Sequence, residues 1–195
     1  MSKHSQSIDN NTLNRIYGNR GGWVFTPAHF IDLGSRDAIA TALKRHKRAG
    51  IIRQLARGLY DYPIDHPVLG RVAPSADAIA RALARRDATR LQPTGAYAAN
   101  VLGLSEQVPT RIEFLTDGPS RRVKLGRREI VLKRTTPRNM ATAGRRSGTV
   151  IQALRWLGQQ HIDDKVVSIL RRQLSPADRT QLLKDVKFAP SWIAD

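Results

Sequence analysis

Cysteine is absent from the 195 residues, which removes disulfides, thiolate-bound metals and a thiol nucleophile from consideration. Acidic residues are scarce: 16 Asp and Glu stand against 33 Lys and Arg, and glutamate occurs only at 106, 113 and 129. The five histidines, at 4, 29, 46, 66 and 161, lie far apart without a short ligand spacing such as His-x-x-x-His, so no metal site is expected. No uncharged apolar run approaches the ~20 residues needed to span a bilayer. The N-terminal stretch Met-Ser-Lys-His-Ser-Gln-Ser-Ile-Asp-Asn lacks the apolar core of a signal peptide, so a cytoplasmic protein outside the membrane is expected. A Walker loop, a Gly-x-Gly-x-x-Gly fingerprint, a nucleophile elbow and a plausible triad are all missing. Neither a cofactor nor catalysis is therefore expected.

What is present is positive charge, in blocks. The formal net charge is +17. Residues 1–60 carry 10 basic and 3 acidic side chains, 61–110 carry 5 of each, 111–146 carry 11 against 3, and 147–195 carry 7 against 5. Two cationic stretches separated by a neutral one imply two cationic surfaces, and phosphate backbones are their commonest partner. A solubilising surface is the plainer alternative. With 41% apolar residues the chain can build one large or two small cores.

Residues 35–50 carry the clearest signal. Ser35 is an N-cap, Gly50 a left-handed stop, and Ile39, Ala42, Leu43 and His46 share one helical face, which makes His46 a core histidine. The other faces carry Arg36, Thr41, Lys44, Arg45, Lys47 and Arg48, a cationic side sized for a major groove. Upstream, a helix is expected over residues 8–18, a strand at 23–25, and a short helix from Thr26-Pro27 to Leu33. Downstream, strands at 51–55 and 59–62 flank Ala56-Arg57-Gly58, a tight turn with an arginine at its tip. This order predicts a winged helix-turn-helix over residues 1–66.

Residues 64–74 have linker composition, so the second domain is placed at 67–195. Helices are expected from Ser75 to near Arg86 and over 93–104, and strands at 111–116, 121–125 and 129–134. A polar, flexible segment follows at 138–148, then helices near 149–160, 163–174 and 176–187. The fold class is α+β: a winged helix, then an α+β domain with a small antiparallel sheet and C-terminal helices.

For double-stranded DNA, Lys44, Arg45, Lys47, Arg48 and Arg57 suit phosphates, while Ser35, Arg36 and Thr41, near the helix start, suit base edges. Thr26 and Arg53 complete the candidate set. Arg121, Arg122, Lys124, Arg127, Arg128, Lys133 and Arg134 are the candidates for a second basic surface, for DNA or for a protein partner; on alternating strands they divide between the faces, with Val123, Leu125, Ile130 and Leu132 supplying the buried side. The plainer role of these cations is to blunt sheet edges. RNA binding is an alternative for residues 111–146. A third is a metal-dependent nuclease, since Glu129 and Lys133 share a strand face.

Two blocks resemble a known family. Trp23-Val-Phe-Thr-Pro27, Lys47-Arg-Ala-Gly-Ile-Ile-Arg53 and Arg57-Gly-Leu-Tyr60 form the first; Pro93-Thr-Gly-Ala-Tyr-Ala-Ala-Asn-Val-Leu-Gly-Leu104 with Val108-Pro109 forms the second. Together they resemble AbiEi-type antitoxins of bacterial abortive-infection (type IV toxin–antitoxin) systems, over about residues 10–140. The resemblance implies a repressor that binds inverted repeats in its own operon, with Arg36, Lys44, Arg45 and Arg57 in the DNA role. It also implies a C-terminal domain that counters a nucleotidyltransferase-like toxin. A solitary regulator of the same architecture is the alternative. The wing sequence Leu-Ala-Arg-Gly carries less positive charge than the family pattern, and the three C-terminal helices match no neutralising surface residue by residue.

Overall fold

Helix α1 (Ile8–Gly18) begins where the Ser7 hydroxyl accepts the N–H of Asn10, and it buries Thr12 and Ile16. The computed structural model describes residues 7–194; residues 1–6, which hold His4 and most of the N-terminal stretch discussed above, and residue 195 lie outside it. Strand β1 (Val24–Phe25) leads into a single 3₁₀ turn, Pro27–Phe30, rather than a helix reaching Leu33. The Leu33 N–H closes on the carbonyl of Phe30 at 2.8 Å, three residues back, instead of reaching that of His29. Arg15 donates to the His29 carbonyl at 2.7 Å and grips both oxygens of Asp32 at 2.6 Å, which pins the turn. That contact holds the Asp32 carboxyl down at about 2.

Helix α2 (Arg36–Arg48) follows, capped by Ser35, whose hydroxyl accepts the N–H of Ala38 at 3.3 Å. Strands β2 (Arg53–Ala56) and β3 (Leu59–Asp61) form a hairpin, and β1 joins the free edge of β3. Ile16, Phe25, Phe30, Ile39, Leu43 and Ile52 make the core beneath α2. Each contributes about 1.5–3 kcal/mol by leaving water. Helix, strand, turn, helix and hairpin in this order form a winged helix.

The linker expected over 64–74 is instead a second hairpin, β4 (Ile64–His66) with β5 (Gly70–Val72). His66 Nδ1 accepts the N–H groups of Val68 and Leu69, both at 3.2 Å, and Gly70 adopts φ +64°, so polar side chains and glycine build a turn where composition suggested slack. Helix α3 (Ala76–Asp87) buries Ile79, Ala80 and Leu83 and packs on β1. The chain accordingly divides into Met1–Asp87 and Ala88–Asp195, not at residue 66, because the apolar stripe of α3 belongs to the first unit.

The second unit holds the sheet β6-β7-β9-β8, with β6 (Leu91–Pro93), β7 (Arg111–Thr116), β8 (Arg121–Leu125) and β9 (Arg128–Arg134). It is mixed rather than antiparallel: β7 runs parallel to β9, with Arg111 opposite Glu129 and Ile112 opposite Ile130. Helix α4 (Gly95–Val101) presents Ala98 and Ala99, with Leu102 beyond its end, to Val150 and Ala153 of α6 (Arg146–Leu157), and Leu174 joins that core. Small residues permit this close approach. The segment expected to be flexible holds α5 (Pro137–Met140) and the first turn of α6. Helices α7 (Asp164–Gln173), α8 (Pro176–Asp185) and α9 (Ser191–Ala194) complete the chain. Among the described residues no helix is long and apolar enough to cross a membrane.

Candidate nucleic-acid interface

The amphipathic pattern of α2 decides what its surface offers. Ile39, Ala42, Leu43 and His46 are buried, which turns Arg36, Thr41, Lys44, Arg45, Lys47 and Arg48 to solvent. Arg45, Lys47 and Arg48 sit in the last turn, where the helix dipole favours cations; Arg36 opens the first turn, where a cation gains nothing from that field. Lys47 Nζ donates to Gln54 Oε1 at 2.8 Å and ties the helix to β2. Arg57 is exposed at the hairpin tip beside Gly58, whose φ of +70° the tight turn requires. Among the described residues, Arg36, Lys44, Lys47, Arg48 and Arg57 take part in no ion pair. Arg45 Nη1 is 3.8 Å from Asp9 Oδ1, and the same oxygen is 3.8 Å from the buried Nε2 of His46.

Two members of the sequence-derived set are not available to DNA, one because it is buried and one because its donors are committed. Thr26 is fully buried: it is the N-cap of the 3₁₀ turn, and its backbone N–H donates to His29 Nδ1 at 3.2 Å. Burial, followed by the charge of Arg85, holds the His29 pKa below its ordinary value. Arg53 is spent on the buried Asp61, through Nη2 at 2.6 Å and Nε at 3.1 Å, and on the carbonyl of Val72. These bonds raise its pKa further and leave it no free donor fork for a phosphate.

The second basic block splits across the C-terminal sheet. Strand alternation turns Val123, Ile130 and Leu132 to one face and Arg122, Lys124, Glu129 and Lys133 to the other. Arg122 Nε lies 3.4 Å from Glu129, and Arg111 Nε lies 2.7 Å from Glu113 and 3.9 Å from Glu129. Arg111, Arg122, Lys124, Arg127 and Arg128 rim a shallow depression around Glu129, so cations outnumber the carboxylate there. Arg121 and Arg134 fall on the opposite side of their strands, and the Arg134 N–H is bonded to the Ser120 hydroxyl. The seven residues therefore do not form one surface.

Residues 12–182 match the model of a family described as being of unknown function, DUF6088. The chain belongs to the DUF6088 family. No curated protein matches its sequence. Among solved structures, the crystal structure of the RV2827C protein from Mycobacterium tuberculosis is similar at 16% identity and a TM-score of 0.45, covering 95% of this chain and 71% of that one.

Sequence reasoning missed two cations of this DUF6088 chain. Arg111 reaches the second surface only because β7 pairs with β9 in parallel, a long-range pairing that no local pattern encodes. Arg71 Nη2 donates to the carbonyl of Gly50 at 3.1 Å and so ties the unforeseen hairpin to the end of α2. The pairing of Arg53 with Asp61 was no more legible. Arg53 and Asp61 flank the same hairpin, and a register shift between Gln54 and Ala56 is what makes them direct partners in the ladder.

Proposed function

We propose that this DUF6088 protein is a sequence-specific DNA-binding repressor of its own operon, acting as the antitoxin of a toxin–antitoxin pair and performing no catalysis. One observation carries the DNA reading. The exposed side of α2 and the wing tip together present Arg36, Lys44, Arg45, Lys47, Arg48 and Arg57 on a frame whose other side is a packed core. Phosphates answer such a surface, and the first turn, with Ser35, Arg36 and Thr41, is the part that reaches base edges when a helix enters the major groove. Inverted repeats are the expected target.

The antitoxin half of the proposal rests on the resemblance to AbiEi-type proteins, with a nucleotidyltransferase-like toxin as the partner. The non-catalytic reading has its own support. Glu129 is engaged by Arg111 and Arg122, and four residues of extended strand, about 13 Å, separate it from Lys133. A carboxylate and a lysine so placed do not converge on one phosphate.

Competition between duplexes tests the proposal. The full-length protein should bind DNA from immediately upstream of its own reading frame at least tenfold more tightly than random duplex at physiological salt. Equal affinity for the two contradicts repression by specific binding, and preference for RNA of the same sequence favours the RNA-binding alternative.

A further inference from the structure

The β4–β5 hairpin exposes what a soluble surface normally hides. Val68 is 85% and Leu69 73% exposed, side by side at its tip and preceded by Pro67. The tip is not slack: His66 Nδ1 accepts the N–H groups of both residues, and Gly70 takes the positive φ that closes the turn. The base is anchored as well. Arg53 donates to the carbonyl of Val72, Arg71 donates to the carbonyl of Gly50 just past the end of α2, and Ile64 lies against Gly21 and Gly22. The single acidic side chain of the hairpin, Asp65, is 3.3 Å from Arg71, which leaves the ribbon without net negative charge.

The hairpin that carries this apolar point is tied by Arg71 to Gly50, two residues past the last turn of α2, in which Arg45, Lys47 and Arg48 lie. The partner that matches an apolar point set among cations has an apolar interior between rows of anions. A base stack between two phosphate backbones is such an object, and Leu, Pro and similar side chains serve as wedges in base steps. We propose that the β4–β5 hairpin is a second wing that inserts Val68 and Leu69 between base pairs from the minor-groove side and bends the duplex that α2 holds. This rests on the DNA-binding reading above, and it adds a source of specificity at a step that α2 does not touch, through the ease with which that step unstacks.

The test uses the full-length protein and a duplex cut from the DNA upstream of its own frame, with a donor and an acceptor dye at its two ends. Binding should shorten the end-to-end distance, as a kink of about 20–90° does. Val68→Ser with Leu69→Ser, at two exposed positions and checked for an unchanged circular dichroism spectrum, should abolish the shortening and weaken binding about tenfold. In the same assay, Lys44→Ala with Arg45→Ala should weaken binding while the DNA that is bound stays bent. Tight binding to straight DNA, or a Ser variant that bends DNA as the parent does, overturns the wedge and leaves the α2 reading in place. A Ser variant that changes only the mass of the free protein in solution assigns the tip to self-association and overturns the wedge too. Failure of the parent to bind any duplex overturns both readings together.

Discussion

Arg53 grips the buried carboxylate of Asp61 through Nη2 at 2.6 Å and Nε at 3.1 Å, and the same Nη2 reaches the carbonyl of Val72 at 2.7 Å. One guanidinium thus joins the wing sheet to the second hairpin. Asp61 is completely buried, so removing its partner strands a charge in the core. Arg53→Ala should destabilise the first unit by ~2–3 kcal/mol, somewhat less than for a fully enclosed pair because the arginine is partly exposed. Arg57→Ala, at the open tip, should change stability by less than about 0.5 kcal/mol. Trp23 is the only tryptophan of the first unit, and urea titrations followed by its fluorescence separate the two cases once Trp156 and Trp192 are replaced.

Arg36 and the Lys44–Arg45 pair should differ in kind. Arg36 opens α2, where side chains reach base edges, so Arg36→Ala should cost ~1–3 kcal/mol on the preferred duplex and little on random DNA. Lys44→Ala should weaken both by a similar factor, because a phosphate contact carries no sequence information. Competition binding against a library of base-substituted duplexes distinguishes them.

Acid should loosen the second unit through Asp185. Burial works to raise its pKa, but bonds from Ser147 at 2.6 Å, Gln181 at 3.1 Å and Arg145 at 2.7 Å outweigh it and hold the folded value below normal. A carboxylate with a depressed folded pKa stabilises the fold above its unfolded pKa, ~3.9, and that contribution disappears as pH falls through the lower, folded value. The urea midpoint should therefore drop from about pH 4 downward. Asp185→Asn should lower stability at pH 7 by ~1–3 kcal/mol and flatten that acid limb. An unchanged acid limb in the variant would assign the dependence to other carboxylates.

Gly148 sits in the first turns of α6, where alanine is the better helix former by ~1 kcal/mol. Packing should reverse that preference. A Cβ at this position would collide with Gln92 Oε1 and stand 2.5 Å from the backbone oxygen of Thr142. Overpacking against backbone costs about 1–3 kcal/mol or more, so Gly148→Ala should give a net loss of about 1–2 kcal/mol in denaturant unfolding.

The elements that the sequence revealed are those whose determinants are local. Helix α2 declares itself through Ser35, Gly50 and the spacing of Ile39, Ala42, Leu43 and His46 within 16 residues, and its exposed cations follow from the same spacing. What stayed hidden depends on partners distant along the chain. The Pro and Gly content of 63–74 reads as a linker until His66 is seen to hold the Val68 and Leu69 amides. The parallel pairing of β7 with β9 leaves no trace in either strand, so local patterns lead to an antiparallel sheet and leave Arg111 out of the second surface. Thr26 is read from sequence as an N-cap and stands in the candidate set, and its complete burial is a tertiary fact that no local pattern shows.

Contact between the exposed face of α2 and phosphates shows directly in the salt dependence of affinity. Each neutralised phosphate contributes about −0.9 to the slope of log affinity against log salt. Lys44→Ala with Arg45→Ala should make the slope for the upstream duplex shallower by about 1.8, with the fold and the unfolding midpoint unchanged. A double variant that retains the parent slope would contradict it and would move the phosphate contacts away from α2.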